Sequence, residues 1–388
     1  MKAYMDYGAA KPVDQAVIDA MTPYFSKVYG NPASFYNIGF EAYNAVNQAR
    51  EQVANLIGAG KGEIVFTSCA TESNNLAILG IAQRYKKKGK RVIISEIEHI
   101  SVINISKELT RQGFEVIQAP VESDGILDME KFKELVNKDT VLVSVMAANN
   151  EIGTIQPIKE ISEITHDHDA IFHTDAVAAV GQFPIDVKEK GIDLMTLSSN
   201  DLYGPRGVGA MYLRNGLRPK PHMIGGGQEG GQRSGSENVP GIIGMGKAAE
   251  ITLEIMDDES KRLIKLRDRL AKGLLENIPE SYMNGHPTKR IPNNANIRFS
   301  FIEGEALILS LDQVGINASS GSACLAKTLE PSHVLRALGL AHEYAHGSLV
   351  FTLGKGNNEE QVEYVIESMP DVVHKLRAMS PLTPKELK

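Results

Sequence analysis

The sequence predicts an α/β protein with a large domain, built on a mainly parallel central sheet, and a smaller C-terminal α+β domain. Short apolar runs rich in β-branched residues alternate with amphipathic stretches of helical length. Strands separated by such helices pair in parallel through right-handed crossovers. A chain of 388 residues, 42% of them apolar, can bury a sizeable core and favours two domains.

Six strands and four helices are predicted for the large domain. The predicted strands cover residues 63–67, 91–95, 114–118, 141–145, 170–174 and 194–198. The predicted helices cover residues 74–85, 103–112, 129–137 and 159–166. A glycine-rich stretch at residues 225–231 interrupts this pattern and predicts a loop.

A long charged helix at residues 251–277 is predicted to connect the two domains, because acidic and basic residues alternate along it. Beyond it, residues 294–300 and 349–353 predict strands and residues 306–311 predict a helix. We therefore place the large domain at residues 14–255. Residues 1–13 and 256–388 form the predicted small domain.

Charge and composition argue against several classes of protein. A net charge of −7 and a pI near 5.9 provide no basic surface for nucleic acid or an anionic membrane. No apolar run approaches the roughly 18 residues that cross a bilayer, and the N-terminus lacks the apolar stretch of a signal peptide. Two cysteines cannot form a disulfide framework. We therefore expect a cytoplasmic protein.

Polar residues follow five of the predicted strands, at the edge where open α/β sheets bind ligands. They are Thr67–Asn74, Glu98-His99, Asn149-Asn150-Glu151, Asp175 and Ser198-Ser199-Asn200-Asp201. The first group opens directly into a helix and is either a phosphate site or a capped helix start. Taken together, the five groups predict one shared pocket for a small molecule.

Cys324 lies in a run of small residues, Ser319-Ser320-Gly321-Ser322-Ala323-Cys324, with polar residues after it. Such flanks suit a working thiol on a loop, and the alternative is a free cysteine packed in a core. Cys69 stands at a predicted helix start, where a thiolate would be stabilised. The alternative for Cys69 is a small residue that only fills space.

These motifs resemble those of the NifS/IscS-type cysteine desulfurases, which belong to the class V aminotransferase family and to the fold type I enzymes of pyridoxal 5'-phosphate (PLP). The resemblance runs from about residue 3 to residue 382. The motifs that carry it are Gly30-Asn31-Pro32-Ala33-Ser34, Ala70-Thr71-Glu72-Ser73, Asn149-Asn150-Glu151-Ile152-Gly153, Arg233-Ser234-Gly235 and Ser319-Ser320-Gly321-Ser322-Ala323-Cys324.

The resemblance implies a PLP site at the strand ends and a reactive thiol at Cys324. The residues implied at the phosphate are Ala70, Thr71, Ser198, Ser199 and Asn200, with Ser236 from the second subunit of a homodimer. His99 would stack on the pyridine ring, and Asn150 would bond its phenolic oxygen. Asp175 would pair with the ring nitrogen, which makes the ring an electron sink. Cys324 would take the substrate sulfur as a persulfide.

Four positions depart from the family pattern. Asp201 stands where the family has the lysine that forms the Schiff base, and a carboxylate cannot form an imine. Asn200 replaces a histidine at the phosphate, and Ala178 replaces a glutamine at the phenolic oxygen. Val350 replaces the arginine that clamps the substrate carboxylate. Lys11, where the family has threonine, is the lysine that we name as a possible substitute.

Two functions from different classes follow from these departures. One is an active cysteine desulfurase that passes sulfur from Cys324 to an iron–sulfur scaffold protein of the IscU type. The other is a binding protein that docks the scaffold and offers Cys324 as a persulfide carrier or as a ligand to a 2Fe–2S cluster. In the second, PLP binds non-covalently at most and desulfuration is absent or very weak. An aminotransferase-like or lyase activity is a third possibility, which the missing lysine weakens.

Overall fold

The strands that the sequence predicts for the large domain come together in one sheet in a computed structural model, which describes residues 1–321 and 332–387. In chain order the strands are β1 (Ala3–Tyr4), β2 (Ile64–Thr67), β3 (Arg91–Ser95), β4 (Glu115–Ala119), β5 (Thr140–Ser144), β6 (Ile171–Asp175), β7 (Leu194–Ser198), β8 (Gly209–Leu213), β9 (Ser281–Met283), β10 (Asn294–Phe299), β11 (Ile316–Asn317) and β12 (Ser348–Thr352).

The α-helices lie between and after these strands. In chain order they are α1 (Gln15–Met21), α2 (Pro23–Ser26), α3 (Asn37–Leu56), α4 (Ala70–Tyr85), α5 (Ile100–Arg111), α6 (Met129–Leu135), α7 (Ile158–Asp167), α8 (Val239–Asn277), α9 (Gly304–Gln313), α10 (His333–Ala337), α11 (His342–Ala345) and α12 (Glu359–Met379).

The large sheet has seven strands in the order β2-β8-β7-β6-β5-β3-β4. All pairings from β7 to β4 are parallel, whereas β8 runs antiparallel to both of its neighbours. Because β2 and β7 are both antiparallel to β8, β2 runs in the same direction as the other five predicted strands. The fold class predicted from the sequence, α/β with a mainly parallel sheet, is confirmed.

The predicted elements agree with the observed ones to within a few residues, except for the start of the connecting helix. Several observed elements, among them α3, α12 and β9, were not predicted. β8 was not anticipated, although its strand Gly209–Leu213 is buried throughout. The connecting helix α8 begins at Val239 rather than near residue 251. Its first turns are small and apolar, so charge alternation does not reveal them. Asn238 caps this start by accepting a hydrogen bond from the Gly241 N–H at 3.2 Å.

Separate apolar clusters occupy the two ends of the molecule. One lies on the large sheet and includes Phe66, Phe172 and Tyr212. A second packs the three-stranded sheet β12-β10-β9 against α9, α12 and the later turns of α8. The N-terminal strand β1 pairs in parallel with β11 and joins this second cluster. The exact domain bounds remain a prediction.

No helix in residues 1–321 and 332–387 is both long and apolar enough to cross a membrane. The parallel strands place their carboxyl ends at one edge of the large sheet. Two hydrogen bonds bring the N-terminal segment to that edge. The Tyr7 N–H donates to the main-chain oxygen of Thr352 at 3.2 Å, and the Gly8 N–H donates to the Thr352 hydroxyl at 2.7 Å.

Candidate functional site

A cavity of about 160 Å³ opens at the carboxyl edge of the large sheet. Five of the residues predicted to hold a cofactor line it together, and they are Ala70, Thr71, His99, Asn150 and Asp175. These residues come from four different strand ends, which the parallel topology brings to one place. The shared pocket predicted from the sequence therefore exists.

The start of α4 forms one side of this cavity. Cys69 is the N-cap residue, and its side chain makes no capping hydrogen bond. The first N–H groups of a helix have no partner within the helix, and the helix dipole favours negative charge there. Ala70 and Thr71 occupy this first turn, so the local geometry suits a phosphate.

A chain of hydrogen bonds joins Asp175 to His99. Asn74 donates from its amide to the Asp175 carboxylate at 2.8 Å and to the Ser101 hydroxyl at 3.0 Å. The Ser101 hydroxyl lies 2.8 Å from Nδ1 of His99, and the Ser101 N–H donates to the same nitrogen at 3.2 Å. Asp175 is 4% exposed. The chain therefore fixes a buried carboxylate and an imidazole around the cavity.

Asp201 also lines the cavity, one short turn after β7. Burial raises the pKa of its carboxyl group, against the opposing effects of the Lys11 charge and of a hydrogen bond from Ser198. Ser198 thus contacts the site through Asp201. Ser199 and Asn200, the other two residues predicted at this turn, do not line the cavity.

Lys11 enters the cavity from the N-terminal segment. Its Nζ donates to the main-chain oxygen of Asp201 at 2.6 Å and lies 5.3 Å from the centre of the Tyr203 ring. Burial lowers the pKa of Lys11 despite the nearby Asp201. Lys11 is the only lysine or arginine among the described residues that line the cavity.

Ala178 lines the cavity as well and presents only a methyl group. Gln182, four residues later, lines the same cavity with a buried Oε1 that has no hydrogen-bond partner among the described residues. Val350 lies in β12 and is 6% exposed, so this apolar side chain is packed rather than offered to a ligand.

Two further predicted residues lie elsewhere. Ser236 is exposed and lines a separate pocket with Arg233 and Asn238. It does not serve the cavity of its own chain, and its role from a second subunit stays a prediction. Cys324, the predicted catalytic and metal-binding thiol, lies outside the described residues. Cys69 is exposed and its Sγ lies 3.7 Å from the Ser68 hydroxyl.

Buried polar atoms without partners show that the cavity suits a polar ligand. Among the described residues that line the cavity, these atoms include Oε1 of Gln182 and Oδ1 of Asn293. Buried polar groups are nearly always hydrogen-bonded, so such atoms around a cavity indicate a missing ligand or water. The free helix start, the buried Asp175 and these acceptors fit PLP, except that Asp201 provides no amine.

Comparison with known proteins agrees with this geometry. The aminotransferase class-V family matches residues 3–365. The chain belongs to this family. Cysteine desulfurase IscS 1 of Archaeoglobus fulgidus is 56% identical over 379 residues, covering 98% of this chain and 99% of that one. Cysteine desulfurase IscS of Methanosarcina thermophila is 50% identical over 383 residues, covering 99% and 95%.

Solved structures of class-V aminotransferase relatives share the fold. A NifS-like protein superposes with a TM-score of 0.91 at 36% identity, covering 97% of this chain and 100% of that one. The apo cysteine desulfurase of Thermococcus onnurineus NA1 gives 0.87 at 25% identity, covering 97% and 95%. The resemblance to NifS/IscS-type cysteine desulfurases is thereby confirmed, and PLP is the cofactor expected for the family.

Several residues of this class-V aminotransferase site were not predicted from the sequence. Ser101 was not predicted, although it lies two residues after His99, and Asn74 was named only as part of the first polar group, without a role of its own. Tyr7 and Asn293 also line the cavity. They come from chain segments that do not follow a predicted strand of the large sheet, so the search for polar residues at strand ends could not find them.

Proposed function

We propose that this chain serves iron–sulfur cluster assembly by docking a scaffold protein and presenting Cys324 as a persulfide carrier or cluster ligand. Its PLP-dependent desulfuration is absent or very weak. The observation that carries this proposal is Asp201, which lies in the cofactor cavity at the end of β7. The family resemblance implies a Schiff-base lysine at that position, and a carboxylate cannot replace an amine.

The residue at the position where the family resemblance implies a substrate-binding arginine supports the same proposal. Val350 is buried in β12, opposite Asn296 of β10. A substrate carboxylate needs a charged or hydrogen-bonding partner, and an isopropyl side chain supplies none. Among the described residues that line the cavity, the only lysine or arginine is Lys11, whose Nζ already donates a hydrogen bond to the main-chain oxygen of Asp201.

The chain's own residues would still hold PLP without a covalent bond. The first turn of α4 at Ala70 and Thr71 would bind the phosphate, and Asp175 would hold the proton of the ring nitrogen. PLP supplies an electron sink when it is bound. Asp201 would place an acidic group beside a cofactor that already carries a phosphate and a phenolate, although burial favours the neutral form of the Asp201 carboxyl group.

A homodimer is part of the proposal, and the exposed aromatic residues between residues 25 and 43 support it. They are Phe25, Tyr29, Phe35, Tyr36, Phe40 and Tyr43, with exposures from 50% for Phe40 to 93% for Phe35. Large exposed apolar residues that concentrate in one region are typical of an interface. The scaffold would supply the remaining cluster ligands, because thiolate from Cys324 alone gives one.

Cofactor loading tests the enzymatic half of the proposal. The protein is incubated with PLP, passed through gel filtration and assayed for sulfide release from L-cysteine, beside a lysine-bearing cysteine desulfurase. We expect a colourless protein that releases no sulfide. A retained yellow colour that borohydride fixes to the protein, together with sulfide release, contradicts the proposal.

Cluster reconstitution tests the role of Cys324. A cluster is assembled on an IscU-type scaffold in the presence of the parent, Cys324→Ser or Cys69→Ser. We expect the Cys324→Ser variant to lose cluster retention or to change the visible spectrum, whereas Cys69→Ser matches the parent. Identical spectra in all three samples would remove Cys324 as a ligand.

The second candidate is an active cysteine desulfurase that converts L-cysteine to L-alanine through a Cys324 persulfide. The position of Lys11 favours it, because an amine with a lowered pKa lies in the cofactor cavity. An unprotonated amine is the nucleophilic form. Sulfide release that is present in the parent and in Lys107→Met, but lost in Lys11→Met, would select this candidate. Lys107 is exposed on α5 and serves as the matched control.

A further inference from the structure

Two histidines lie on one helical turn, between α10 and β12. The sequence His342-Glu343-Tyr344-Ala345-His346 separates the two imidazoles by four residues. α11 covers His342–Ala345, and His346 continues with the helical backbone angles φ −66° and ψ −32°. Residues four apart on a helix share a face, so both rings point to the same side.

The two rings are already placed as ligands of one ion would be. The Nε2 atoms of His342 and His346 are 3.5 Å apart, and the ring centres are 4.5 Å apart at an interplanar angle of 59°. Two nitrogen ligands at about 2.1 Å from a tetrahedral ion lie about 3.4 Å from each other. An ion can therefore bridge the pair with little movement of either side chain.

Neither ring is committed to another group. In the described part of the chain, the contact between the two Nε2 atoms is the only hydrogen bond of either imidazole, and no carboxylate forms an ion pair with them. Other histidines differ in this respect. His166 contacts Asp193 at 2.9 Å, and His333 contacts the main-chain oxygen of Glu98 at 2.9 Å.

Apolar packing and a main-chain hydrogen bond hold the helical turn that carries the two histidines. Ala345 is 5% exposed and packs in an apolar cluster with Leu335. The main-chain oxygen of His346 accepts a hydrogen bond from Gly304 N–H at 2.8 Å. His346 also lines a small pocket with Gly321 and Ser332, the described residues on either side of positions 322–331.

We propose that His342 and His346 bind a divalent first-row transition-metal ion, such as Fe²⁺ or Zn²⁺. Imidazole nitrogen suits these ions. The described residues contain no cluster of three or more histidine, cysteine, aspartate or glutamate ligands. The pair therefore supplies two coordination positions, and water fills the others. The metal site itself does not depend on the function proposed above, whereas a role in bringing iron close to Cys324 rests on it.

Metal titration of the full-length protein tests the site. Co²⁺ binding is followed by its visible absorption and Zn²⁺ binding by calorimetry, in the parent, His342→Ala, His346→Ala and His374→Ala. His374 is exposed on α12 and is the matched control. We expect one ion per chain, a dissociation constant at least tenfold higher in either of the first two variants, and no change in His374→Ala.

Two outcomes overturn the site. If the His342→Ala and His346→Ala variants bind Co²⁺ as the parent does, the pair is only an N–H···N hydrogen bond. If Cys324→Ser abolishes Co²⁺ binding while both histidine variants keep it, the thiol is the metal site. His342→Gln and His346→Gln repeat the test if an alanine variant unfolds. Cluster reconstitution with Cys324→Ser reports on the proposed function separately, so either idea can fail alone.

Discussion

The Glu151 carboxylate accepts a hydrogen bond from the Ser332 hydroxyl at 2.7 Å. This contact joins the turn at residues 149–153, beside the cofactor cavity, to the first described residue after positions 322–331. Gly321, the last described residue before them, packs so closely on the same carboxyl group that a methyl group there would overlap it. Asn294 and Asn296 hold the main-chain oxygen of Glu151, each at 3.1 Å. One buried residue thus contacts Gly321 and Ser332, the described residues on either side of positions 322–331.

Stability should respond to pH through Glu151. Burial raises its pKa from 4.5 to about 7, opposed by the hydrogen bond from Ser332. The pKa of Glu151 is higher in the folded protein than in the unfolded chain. The contribution of Glu151 to the free energy of unfolding is therefore fully present below pH 4.5, and it is lost as the pH rises to about 7. Glu151→Gln removes this dependence. Between pH 5 and pH 8, the free energy of unfolding of the parent should fall by about 2 kcal/mol relative to the variant, as measured by urea unfolding.

Glu41→Gln is the control for this measurement, because Glu41 is exposed on α3. Its difference from the parent should be the same at both pH values. An equal difference at both pH values for Glu151→Gln would contradict the raised pKa of Glu151.

Placing an amine at residue 201 should allow PLP to attach covalently to the protein, but it should raise the rate of sulfide release only slightly. Asp201→Lys puts a lysine in the cavity, so borohydride should fix PLP to the protein. Sulfide release should stay low because Val350 cannot hold the substrate carboxylate. The double variant Asp201→Lys, Val350→Arg should release sulfide at least tenfold faster than the single variant.

Asp201→Asn is the control, because it removes the charge without adding an amine. Retained absorbance after borohydride treatment and gel filtration gives the readout, and mass spectrometry of peptides locates the label. Full desulfurase activity from Asp201→Lys alone would show that Val350 does not limit substrate binding.

Glu229 joins the glycine-rich stretch at residues 225–231 to Arg50 on α3 and to Phe66 on β2, and removing its side chain should destabilise the protein. Glu229 is bonded by both guanidinium nitrogens of Arg50, at 2.6 and 2.7 Å, and by the Phe66 N–H at 2.9 Å. The Glu229 side chain is 4% exposed. Glu229→Ala leaves Arg50 without its partner and should cost about 3 kcal/mol in the free energy of unfolding.

Asp258→Ala provides the comparison in the same urea experiment. Asp258 pairs with Lys261 at 3.7 Å and its side chain is 95% exposed, so its loss should change stability by about 0.5 kcal/mol or less. Equal effects from the two variants would mean that the Glu229 pair is as solvent-screened as the surface pair.

Association should depend on the aromatic face of α3. Phe40 is 50% exposed and lies one turn from Tyr36 and Tyr43. Phe40→Glu places a charge in the proposed interface and should shift the protein from dimer to monomer in sedimentation velocity. Leu309→Glu, at an exposed position on α9 outside this face, should leave the mass unchanged. A parent that sediments as a monomer would refute the proposed dimer.

The candidate site was predicted in part, and the reason lies in how its residues are spaced. Thr71, His99 and Asp175 follow the predicted strands, so apolar runs rich in β-branched residues, and the points where those runs end, locate them. Lys11 could be named from the sequence only by comparison with a family pattern. Its approach to Asp201 depends on the long-range pairing of the N-terminal segment with β11 and β12, which no local pattern encodes.

The amino-acid sequence by itself determined the α/β class, six strands of the large sheet, and the presence of a carboxylate rather than an amine at residue 201. These features are local, because strand runs and side-chain identity are properties of neighbouring residues. Only the tertiary structure decided that β8 enters the sheet in reverse, that Lys11 shares the cavity with Asp175, and that Glu151 meets Ser332. The last two relationships join residues more than a hundred positions apart, and packing of the two apolar clusters, rather than any pattern along the chain, brings them together.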